Sequence, residues 1–578
     1  MIDLRQKEHP KSMAYDRLKK KGNKIVGICI GYILWLAVQP FETGWSNTDC
    51  YLSMGIGILS VIASFVLILR KGVISFSKID IFVCLWFLYV ILRAYCDNTY
   101  PSGNFCLRTI QMFALYMATR LLFSTFNMSE HVLVVCILIC TYYEVFVGIC
   151  QLLSGSSRHP IYALSGSFMN PGPYSAFLVI GLVITCKLQK NYWSPTVFGI
   201  MLAFSCSRAA LVSAAVCMGI IYWDKWKHRK LQILMGMVII MVGLYYLKKG
   251  SADGRSIIYI ISLLCICENP IFGSGISSFC HQYAEGMASF SLQHPTFNFI
   301  SADVTSNAYN CLLQIGIEQG LIGLCLALAL VGMMFERLNH KGKLLGMSLL
   351  SLFIFSMFSY PFGQLSYQIL FVLIAAFSGT NEEILDYSTK LRKITFNYPA
   401  PVVLLTCTIF FSVFTHWQIN KRIMAESNYQ KVAGINDVAL IDDYFELLPL
   451  LNTNEHYLFE FGKLLAANCR YKESNAILNL GTRISCDPMF YVIQGNNYCE
   501  MESFEKAESA YQKAFAIMPN RLYPLYKLML LYEKEGNEEK MVNMAQQVVS
   551  FTEKVVSPVT KDMKKEADKI LIKANNSH

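Results

Sequence analysis

The chain has 578 residues, more than one hydrophobic core normally accommodates, so more than one domain is expected. Hydrophobic residues make up 54% and charged residues 16%, a balance that is typical of a polytopic membrane protein and unlike that of a soluble enzyme. The formal net charge is +10, but the basic residues stand in short clusters between apolar runs, which argues against nucleic acid as a partner.

Long apolar runs recur over residues 24–417 and predict a polytopic membrane domain of about thirteen spans. The first run follows a basic segment at 1–23 that lacks a small-residue cleavage site, so we predict an uncleaved cytoplasmic tail there. Runs shorter than the ~20 residues of a perpendicular helix predict tight hairpins around Ser207 and Tyr360. The predicted spans are 24–41, 49–70, 77–96, 106–123, 131–153, 172–188, 193–206, 209–224, 231–247, 309–335, 343–360, 364–378 and 398–417.

Basic residues are concentrated in alternate loops, and this bias predicts the orientation of the spans. Loops such as Lys225–Lys230 are predicted to be cytoplasmic, with short basic-poor turns on the opposite side. An odd number of spans then puts the chain after Trp417 outside, together with the long segment 248–308. Pro270 and Pro295 interrupt that polar segment, so we predict a large periplasmic loop where chemistry with water-soluble groups occurs.

Five arginines run against this bias, because each lies at or near the predicted outer end of a span. A guanidinium at a membrane edge costs free energy unless it snorkels to the headgroups or meets an anion. Five of them together favour an anionic substrate, and the planar guanidinium fork suits phosphate oxygens. They are Arg93, Arg108, Arg158, Arg208 and Arg255, accompanied by Lys248 and Lys249.

Twenty cysteines are scattered along the chain, mostly within apolar runs. Because no CxxC pairs with a second cluster, we expect no metal site, and nothing in the sequence calls for another cofactor. Most of these cysteines are predicted to be buried as small apolar residues. Cys96 and Cys106 bracket a short loop and can pair if that loop faces an oxidising compartment.

From about residue 418 the composition becomes that of a soluble, amphipathic helical domain, predicted over 418–578. The clearest unit runs from Pro488 to Pro519, with small residues such as Gly495 where two antiparallel helices would touch and aromatic residues such as Tyr511 between them. This pattern resembles the tetratricopeptide repeat, and weaker copies precede and follow it. It predicts an α-solenoid; a helical bundle without true repeats is the alternative.

Four landmarks in the middle of the chain combine turns, arginines and broken helices. The first is a turn rich in glycine and proline that opens a span, and the second is an arginine at a sharp turn. The third is an Asp-Gly-Arg helix start that leads to a Pro-Gly turn, and the fourth is a Tyr-Asn pair before a span interrupted by glycines. They are GSFMNPGPYSAF around Asn170, Ser207-Arg208, Asp253 to Arg255, and Tyr309-Asn310 followed by Gly320 and Gly323.

In this order and spacing, the landmarks resemble the O-antigen ligase and O-antigen polymerase superfamily, which includes bacterial protein O-oligosaccharyltransferases. The resemblance covers roughly 130–378, and the spacing from Asn310 to Gly320 is its most specific part. It implies an all-α membrane bundle of the class C glycosyltransferase type, to which a tetratricopeptide tail is a common addition.

The resemblance also implies an inner-membrane enzyme that takes a glycan from an undecaprenyl-diphosphate carrier and attaches it to an acceptor hydroxyl on the periplasmic face. The N-terminus would be cytoplasmic and the repeat domain periplasmic. A lipid diphosphate would give the outward arginines an anion to bind. Guanidinium groups can stabilise the charge that develops as the C1–O bond breaks, so no dedicated metal is then needed.

Residue by residue, Arg208 and Arg255 match the family's phosphate-binding arginines, and Asn310 matches the asparagine of its loop motif. Tyr309 stands where many ligases have histidine. The resemblance thus implies four catalytic residues, Arg208, Arg255, Tyr309 and Asn310. The further substrate-binding residues that we predict are Arg158, Asn170 and His294.

The catalytic base is left open by the sequence. A phenol, whose ordinary pKa is about 10, is a poor base at neutral pH. Either Tyr309 only positions the acceptor, or another loop residue takes the proton. The candidates are His281, Glu285, His294 and Asp303.

Several functions remain open at this point. Ligase, polymerase and protein-glycosylating forms differ in the acceptor, and the absence of the ligase histidine argues against lipid A core. The concave surface of a repeat domain favours a protein acceptor or an assembly partner. A transporter or flippase would show a two-fold internal repeat and mid-bilayer ionisable residues; a non-catalytic scaffold would use the repeats to recruit partners.

Overall fold

The computed structural model describes residues 26–36, 45–70, 74–97, 99–126, 128–190, 192–223, 249–380, 394–396, 399–435 and 437–576, with single positions at 24, 225, 232, 235–236, 243 and 245–246. Helices dominate these residues, which confirms the predicted all-α fold. In the described part of the chain, strands occur as one short antiparallel pair, in which Ile74 of β1 (Ile74–Phe76) aligns with Phe396 of β2 (Ile394–Phe396).

The helices follow one another with short connections. Before residue 224 they are α1 (Val26–Leu36), α2 (Asn47–Arg70), α3 (Lys78–Cys96), α4 (Gly103–Phe126), α5 (Glu130–Ser154), α6 (Pro171–Leu188), α7 (Trp193–Phe204) and α8 (Arg208–Tyr222). The middle of the chain holds α9 (Lys249–Glu268), α10 (Phe279–Gln293), α11 (Cys311–Lys341), α12 (Lys343–Ser356), α13 (Leu365–Ser378) and α14 (Ala400–Val432). The C-terminal region holds α15 (Ile441–Leu451), α16 (Glu455–Ala467), α17 (Tyr471–Thr482), α18 (Met489–Glu500), α19 (Phe504–Ile517), α20 (Tyr523–Glu535), α21 (Glu538–Ser550) and α22 (Pro558–Asn576).

The chain divides into two compact units. The first unit comprises Met1–Tyr89, Leu107–Leu244 and Cys325–Ile423. The second unit comprises Val90–Cys106, Tyr245–Leu324 and Met424–His578. The segment predicted to be a periplasmic loop and the region predicted to hold repeats therefore belong to the same unit.

Seven of the described helices are long and apolar enough to cross a membrane, judged by length and composition, and five shorter apolar helices accompany them. These are the features of a multi-pass membrane protein. Predicted spans within the described residues overlap helices, whereas the run at 231–247 lies almost entirely outside those residues. The predicted tail at 1–23 and the basic clusters near 228 and 390 lie outside them as well. The seven are Asn47–Phe65, Lys78–Cys96, Glu130–Ser154, Pro171–Leu188, Lys249–Glu268, Cys311–Lys341 and Ala400–Val432.

One of the seven, α9, differs from the sequence prediction. Its residues were assigned to the periplasmic loop, with a helix expected to start near Asp253; the observed helix has 20 residues and is also a candidate span by length and hydropathy. The polar residues Asp253 and Arg255 lie in its first two turns, and an almost continuous apolar run follows them. The polar residues in the rest of segment 248–308 lower its average hydropathy, so the apolar run was not recognised as a separate span.

The core of the first unit is built around α6, in which residues 173–186 are all buried. This helix packs against α5, α7, α8 and α12. Gly181 makes the contact with α5 possible, because a Cβ atom there would lie 2.5 Å from the Cγ2 atom of Thr141. The start of α6, and with it the loop that precedes it, is therefore held inside a packed bundle.

Two carboxylates that cap helices are bound by the two arginines of α4. Asp49 accepts a hydrogen bond from the backbone N of Ser46 (2.9 Å) at the start of α2, and Arg108 Nη1 lies 2.5 Å from Asp49 Oδ1. At the start of α3, Asp80 is bound in the same way by Arg120, with Nε–Oδ1 2.9 Å and Nη2–Oδ2 3.0 Å. Removing one partner of such a buried pair typically costs about 3–5 kcal/mol.

The C-terminal helices of the second unit pack in successive pairs, α16 with α17, α18 with α19 and α20 with α21. Small residues lie where the predicted pattern puts them: a Cβ atom on Gly495 would lie 2.5 Å from the Tyr511 ring, and one on Gly462 would lie 2.5 Å from Leu478. These contacts agree with the helix-pair prediction. The assignment to tetratricopeptide repeats stays a prediction.

Candidate functional site

The predicted site residues divide between the two units. Arg158, Asn170 and Arg208 lie in the first unit; Arg255, His294, Tyr309 and Asn310 lie in the second. Each group is described within its own unit.

In the first unit, an ordered loop at 155–170 connects α5 to α6. The side chain of Gln151 holds it from α5: its Oε1 atom accepts hydrogen bonds from the backbone N of Ser165 (3.0 Å) and of Gly166 (2.8 Å), and its Nε2 atom donates to the carbonyl of Gly166 (2.7 Å). Gly166 has φ 61°, and a Cβ atom there would lie 2.1 Å from the Tyr174 ring. The loop therefore has one tightly fixed path over the helix.

Glu144 holds the next residue of this loop and was missed by the sequence analysis. Its side chain is 0% exposed, and it accepts hydrogen bonds from the backbone N (3.0 Å) and the hydroxyl of Ser167. The carbonyl of Ser167 accepts a hydrogen bond from Nη1 of the exposed Arg158 (3.1 Å). The signal was present in the sequence, since a carboxylate within an apolar run marks a functional or structural site.

Two predicted residues of the first unit stand at helix starts. Asn170 is the N-cap of α6, and its Oδ1 atom accepts a hydrogen bond from the backbone N of Gly172 (2.9 Å). Arg208 is the first residue of α8; α7 ends at Phe204, and Cys206 adopts a left-handed φ of 52° between them. The predicted sharp turn is confirmed, and it places a half-buried arginine at the positive end of a helix dipole.

In the second unit, Arg255 lies against the face of Tyr309. The guanidinium carbon is 4.9 Å from the centre of the tyrosine ring, within the range of a cation–π contact. One turn further along α9, the hydroxyl of Tyr259 donates a hydrogen bond to the carbonyl of Tyr309 (3.2 Å). Tyr309 has φ 51°, a strained conformation for a bulky residue, so both contacts from α9 hold it in place.

Asn310 is a helix cap. Its Oδ1 atom accepts hydrogen bonds from the backbone N of Leu312 (2.9 Å) and of Leu313 (3.2 Å), at the start of α11. The carboxamide oxygen is thereby engaged with the backbone, so the first role of Asn310 is to shape the chain next to Tyr309.

The helix that Asn310 caps is interrupted at Gly320, which has φ 65° and ψ −165°. A turn after α9 packs into the break: the backbone N of Leu321 donates to the carbonyl of Pro270 (2.8 Å), and that of Ser274 donates to the carbonyl of Ile317 (2.7 Å). A Cβ atom on Gly320 would lie 2.4 Å from the carbonyl oxygen of Ile271. The spacing from Asn310 to Gly320 is thus the length of one capped half-helix that closes onto this turn.

Two of the five arginines predicted to face outward are bound by other residues of the protein, which argues against their place in one phosphate-binding group. Arg108 is paired with Asp49, as described above. Arg93 donates to the carbonyls of Phe272 (3.3 Å) and Gly273 (3.0 Å) and lies 3.3 Å from Asp97. These pairings leave Arg158, Arg208 and Arg255 as the candidates for substrate; Lys248 lies outside the described residues.

Two of the four candidate bases are engaged with the C-terminal helices. His281 Nδ1 lies 2.9 Å from the carbonyl oxygen of Thr482, and Glu285 Oε2 lies 2.5 Å from Nζ of Lys513. Both pairs join α10 to the C-terminal helices. The contacts argue for a structural role of these two residues.

The other two candidate bases lie nearer the end of the loop. Asp303 Oδ2 lies 3.2 Å from Nζ of Lys554, again a contact with the C-terminal region. His294 ends α10 and is exposed, with its ring 4.5 Å from that of Phe290. Three of the four candidates therefore attach the loop to the C-terminal helices, and His294 alone among them lies at an exposed helix end.

Further contacts complete this attachment. Asn520 Nδ2 donates to the carbonyl of Ala302 (2.8 Å), and the hydroxyl of Ser291 donates to the carbonyl of Ala516 (2.7 Å). The buried thiol of Cys486 donates to the carbonyl of Thr305 (3.1 Å), and burial raises the pKa of this thiol to about 12. Hydrophobic residues of both segments share one core cluster. The loop and the C-terminal helices are thus packed together, which the sequence did not indicate.

The structure also describes the two cysteines of the possible disulfide and the side chains that could bind a metal ion. Cys96 and Cys106, whose pairing the sequence left open, are free thiols, and Cys106 Sγ is directed to Ser102 Oγ (4.0 Å) of its own helix start. Over the residues that the structure describes, no group of three or more His, Cys, Asp or Glu side chains could hold a metal ion.

Comparison with known families concerns the segment that contains Arg208, Arg255 and the Tyr309-Asn310 pair. Residues 196–328 match the O-antigen ligase family. This segment belongs to the O-antigen ligase superfamily. It runs from α7 to beyond the break in α11 and includes Arg208, Arg255 and Tyr309-Asn310. No curated protein matches the chain.

The match over residues 196–328, together with the apolar helices, indicates a multi-pass membrane protein that contains a segment of a glycosyl-transferring family. The O-antigen ligase match does not extend to the loop at 155–170. The assignment of Arg158 and Asn170 to the site therefore depends on the structure and the sequence pattern alone. It also ends before the C-terminal helices.

Proposed function

We propose that this protein is an inner-membrane glycosyltransferase that moves a glycan from an undecaprenyl-diphosphate carrier to an acceptor hydroxyl on the periplasmic face. The bond between C1 of the first sugar and the diphosphate oxygen breaks, and the electron pair leaves with the diphosphate. The acceptor oxygen forms the new bond to C1, and the transfer releases undecaprenyl diphosphate and one proton. What the protein must supply is charge stabilisation on the leaving diphosphate and positioning of the acceptor.

The observation that carries this proposal is the setting of two arginines within the matched segment. Arg208 begins α8, where the helix dipole and a guanidinium offer positive charge to the same anion. Arg255 has one face against the ring of Tyr309, which restricts the rotation of its guanidinium group. Both features suit a phosphate group, because a bidentate guanidinium matches two phosphate oxygens.

In this proposal Tyr309 and Asn310 act mainly by position. Asn310 fixes the start of α11, and Tyr309 orients Arg255 and borders the acceptor. The contacts of His281, Glu285 and Asp303 with the C-terminal helices argue against these three as the base. The exposed His294 at the end of α10 is assigned to substrate binding.

Transfer of a lipid-linked glycan by membranes that contain the protein tests the proposal. Arg208→Lys keeps the charge but loses the two-pronged contact, so we expect transfer to fall at least about tenfold. Arg337→Lys, in the last turns of α11 at the end predicted to be cytoplasmic, is the matched control and should transfer normally. Normal turnover by Arg208→Lys would remove the bidentate argument, and full transfer by Arg208→Ala with intact expression would favour a scaffold.

A protein acceptor is the second candidate, and the packing of the loop against the C-terminal helices favours it. A protein bound to those helices would be held by the same unit that contains Arg255 and Tyr309. Mass spectrometry of glycans on lipid A core and on envelope proteins, with and without this protein, separates the acceptors. A flippase is separated by measuring carrier translocation in vesicles without acceptor.

A further inference from the structure

The loop at 155–170 contains a chain of contacts that leads from inside the bundle to an exposed cation. Glu144 binds Ser167 through both its backbone N and its hydroxyl, and the carbonyl of Ser167 binds Arg158. Glu144 is 0% exposed and Ser167 is 3% exposed, whereas Arg158 is exposed. A fixed buried carboxylate is therefore linked to a cation at the surface through one residue.

The carboxylate of Glu144 is matched to the two donors of Ser167. Its Oε2 atom accepts from the backbone N and its Oε1 atom accepts from the hydroxyl, whereas the carboxamide of Gln151, two turns along the same helix, accepts on Oε1 and donates from Nε2. A buried carboxylate in an apolar helix is costly unless a positive charge compensates it. Arg158 donates a hydrogen bond to the carbonyl of the same Ser167 that Glu144 holds.

We propose that Glu144 is a positioning residue for the donor: through Ser167 it fixes the location and orientation of Arg158, so that this guanidinium binds the diphosphate of the lipid-linked glycan. This inference rests on the proposed function. A displaced guanidinium loses the bidentate geometry that phosphate recognition requires. Glu144 itself touches no substrate in this assignment, and its effect passes entirely through Arg158.

The test measures the affinity of the full-length protein, in detergent, for undecaprenyl diphosphate. Glu144→Gln keeps the shape and removes the charge, and Ser167→Ala removes the hydroxyl that binds the carboxylate. We expect each to weaken binding about tenfold, comparable to Arg158→Ala. Ser167→Thr, which keeps a hydroxyl, should restore most of the affinity. Thr141→Val is the matched control, because Thr141 is buried on the same helix and its hydroxyl bonds to the carbonyl of Ile137 (3.0 Å).

The decisive measurement is the double variant Glu144→Gln/Arg158→Ala. If Glu144 acts through Arg158, the double variant binds no more weakly than Arg158→Ala, a coupling that general destabilisation does not produce. Losses that multiply would overturn the inference, as would normal binding by Glu144→Gln and Ser167→Ala when Arg158→Ala is weakened. Normal binding by Arg158→Ala overturns the inference and leaves the proposed function to be judged by glycan transfer in Arg208→Lys.

Discussion

The guanidinium carbon of Arg255 lies 4.9 Å from the centre of the Tyr309 ring, and the carbonyl of Tyr309 accepts a hydrogen bond from Tyr259 one turn away on the same helix. The face of the Tyr309 ring therefore contacts a cation, and the Tyr309 backbone is held in a strained conformation. This arrangement uses the face of the ring, whereas a proton-transfer role would use the hydroxyl.

Tyr309→Phe and Tyr309→Ala separate these two roles. The phenylalanine variant keeps the ring face, so we expect kcat within about twofold of the wild type, while the alanine variant releases Arg255 and lowers kcat/KM about tenfold. Glycan transfer at saturating and limiting donor measures both constants. A large loss of kcat in Tyr309→Phe would instead assign a proton-transfer role to the hydroxyl.

The interruption of α11 gives a second prediction. Gly320→Ala forces a Cβ atom to within 2.4 Å of the backbone of Ile271 and of Gly273, at a φ of 65°. We expect the variant to lose at least about 2–3 kcal/mol of stability, visible as a lower Tm in detergent. Gly332→Ala in the same helix is the control, because no atom lies within 4 Å of its added Cβ. Equal Tm values for the two variants would contradict the tight packing at the break.

The attachment of the loop to the C-terminal helices gives a third prediction. Asn520 Nδ2 donates to the carbonyls of Ala302 (2.8 Å), Phe299 (3.2 Å) and Ile300 (3.2 Å), and Asn520→Ala removes these bonds. The carbonyls of Ala302 and Phe299 keep other donors, so we expect a cost of about 1 kcal/mol, seen as faster hydrogen exchange over 294–308. Lys565→Ala, which removes an exposed ion pair within α22, should leave exchange in the loop unchanged. Unchanged exchange in Asn520→Ala would show that the loop keeps its conformation without this contact.

The thiol of Cys486 gives a prediction for pH. Burial raises its pKa from 9.0 to about 12, so between these values the unfolded chain binds fewer protons than the folded one. The contribution to stability is complete below pH 9 and is lost by up to about 1.4 kcal/mol per pH unit as the pH rises toward 12. Denaturation of the wild type and of Cys486→Ala between pH 8 and 10.5 measures the difference.

Alkylation provides an independent check on Cys486. The neutral, buried thiol should react with maleimide much more slowly than the exposed Cys469 at pH 7.5. Equal rates would contradict the burial of Cys486. With a membrane-impermeant reagent, the labelling of Cys469 in spheroplasts also tests the predicted periplasmic location of the C-terminal region.

The features that sequence could predict are those that depend on neighbouring residues. Apolar runs predicted most of the helices, the turn before Arg208 followed from two short apolar runs around Ser207, and the spacing from Asn310 to Gly320 was recognised as a motif before its geometry was known. The turn before Arg208 lies between two consecutive helices, and Asn310 caps the helix that Gly320 interrupts. The contact of Gly320 with the distant turn at Ile271 was not part of the prediction.

The features that sequence missed depend on pairs that are distant along the chain. Nothing near Arg108 indicates that Asp49 neutralises it, and nothing near Thr305 indicates that it meets Cys486. A carboxylate such as Glu144 is visible in the sequence, but its partner Ser167 belongs to a loop whose path only the packed bundle defines. Such pairings require the three-dimensional arrangement.

The shared core of the loop and the C-terminal helices bears on how interchangeable the parts of this chain are. A cut at 417, where the composition changes, would remove Cys486, Ala516, Ile517 and Met518 from the core that they share with residues 278–308 and leave an exposed apolar surface prone to aggregation. Likewise, the C-terminal helices grafted alone onto another transferase would carry a surface that is shaped to pack against residues 278–308 of this chain. The exchangeable piece is the pair, so any chimera built to alter acceptor choice must carry both.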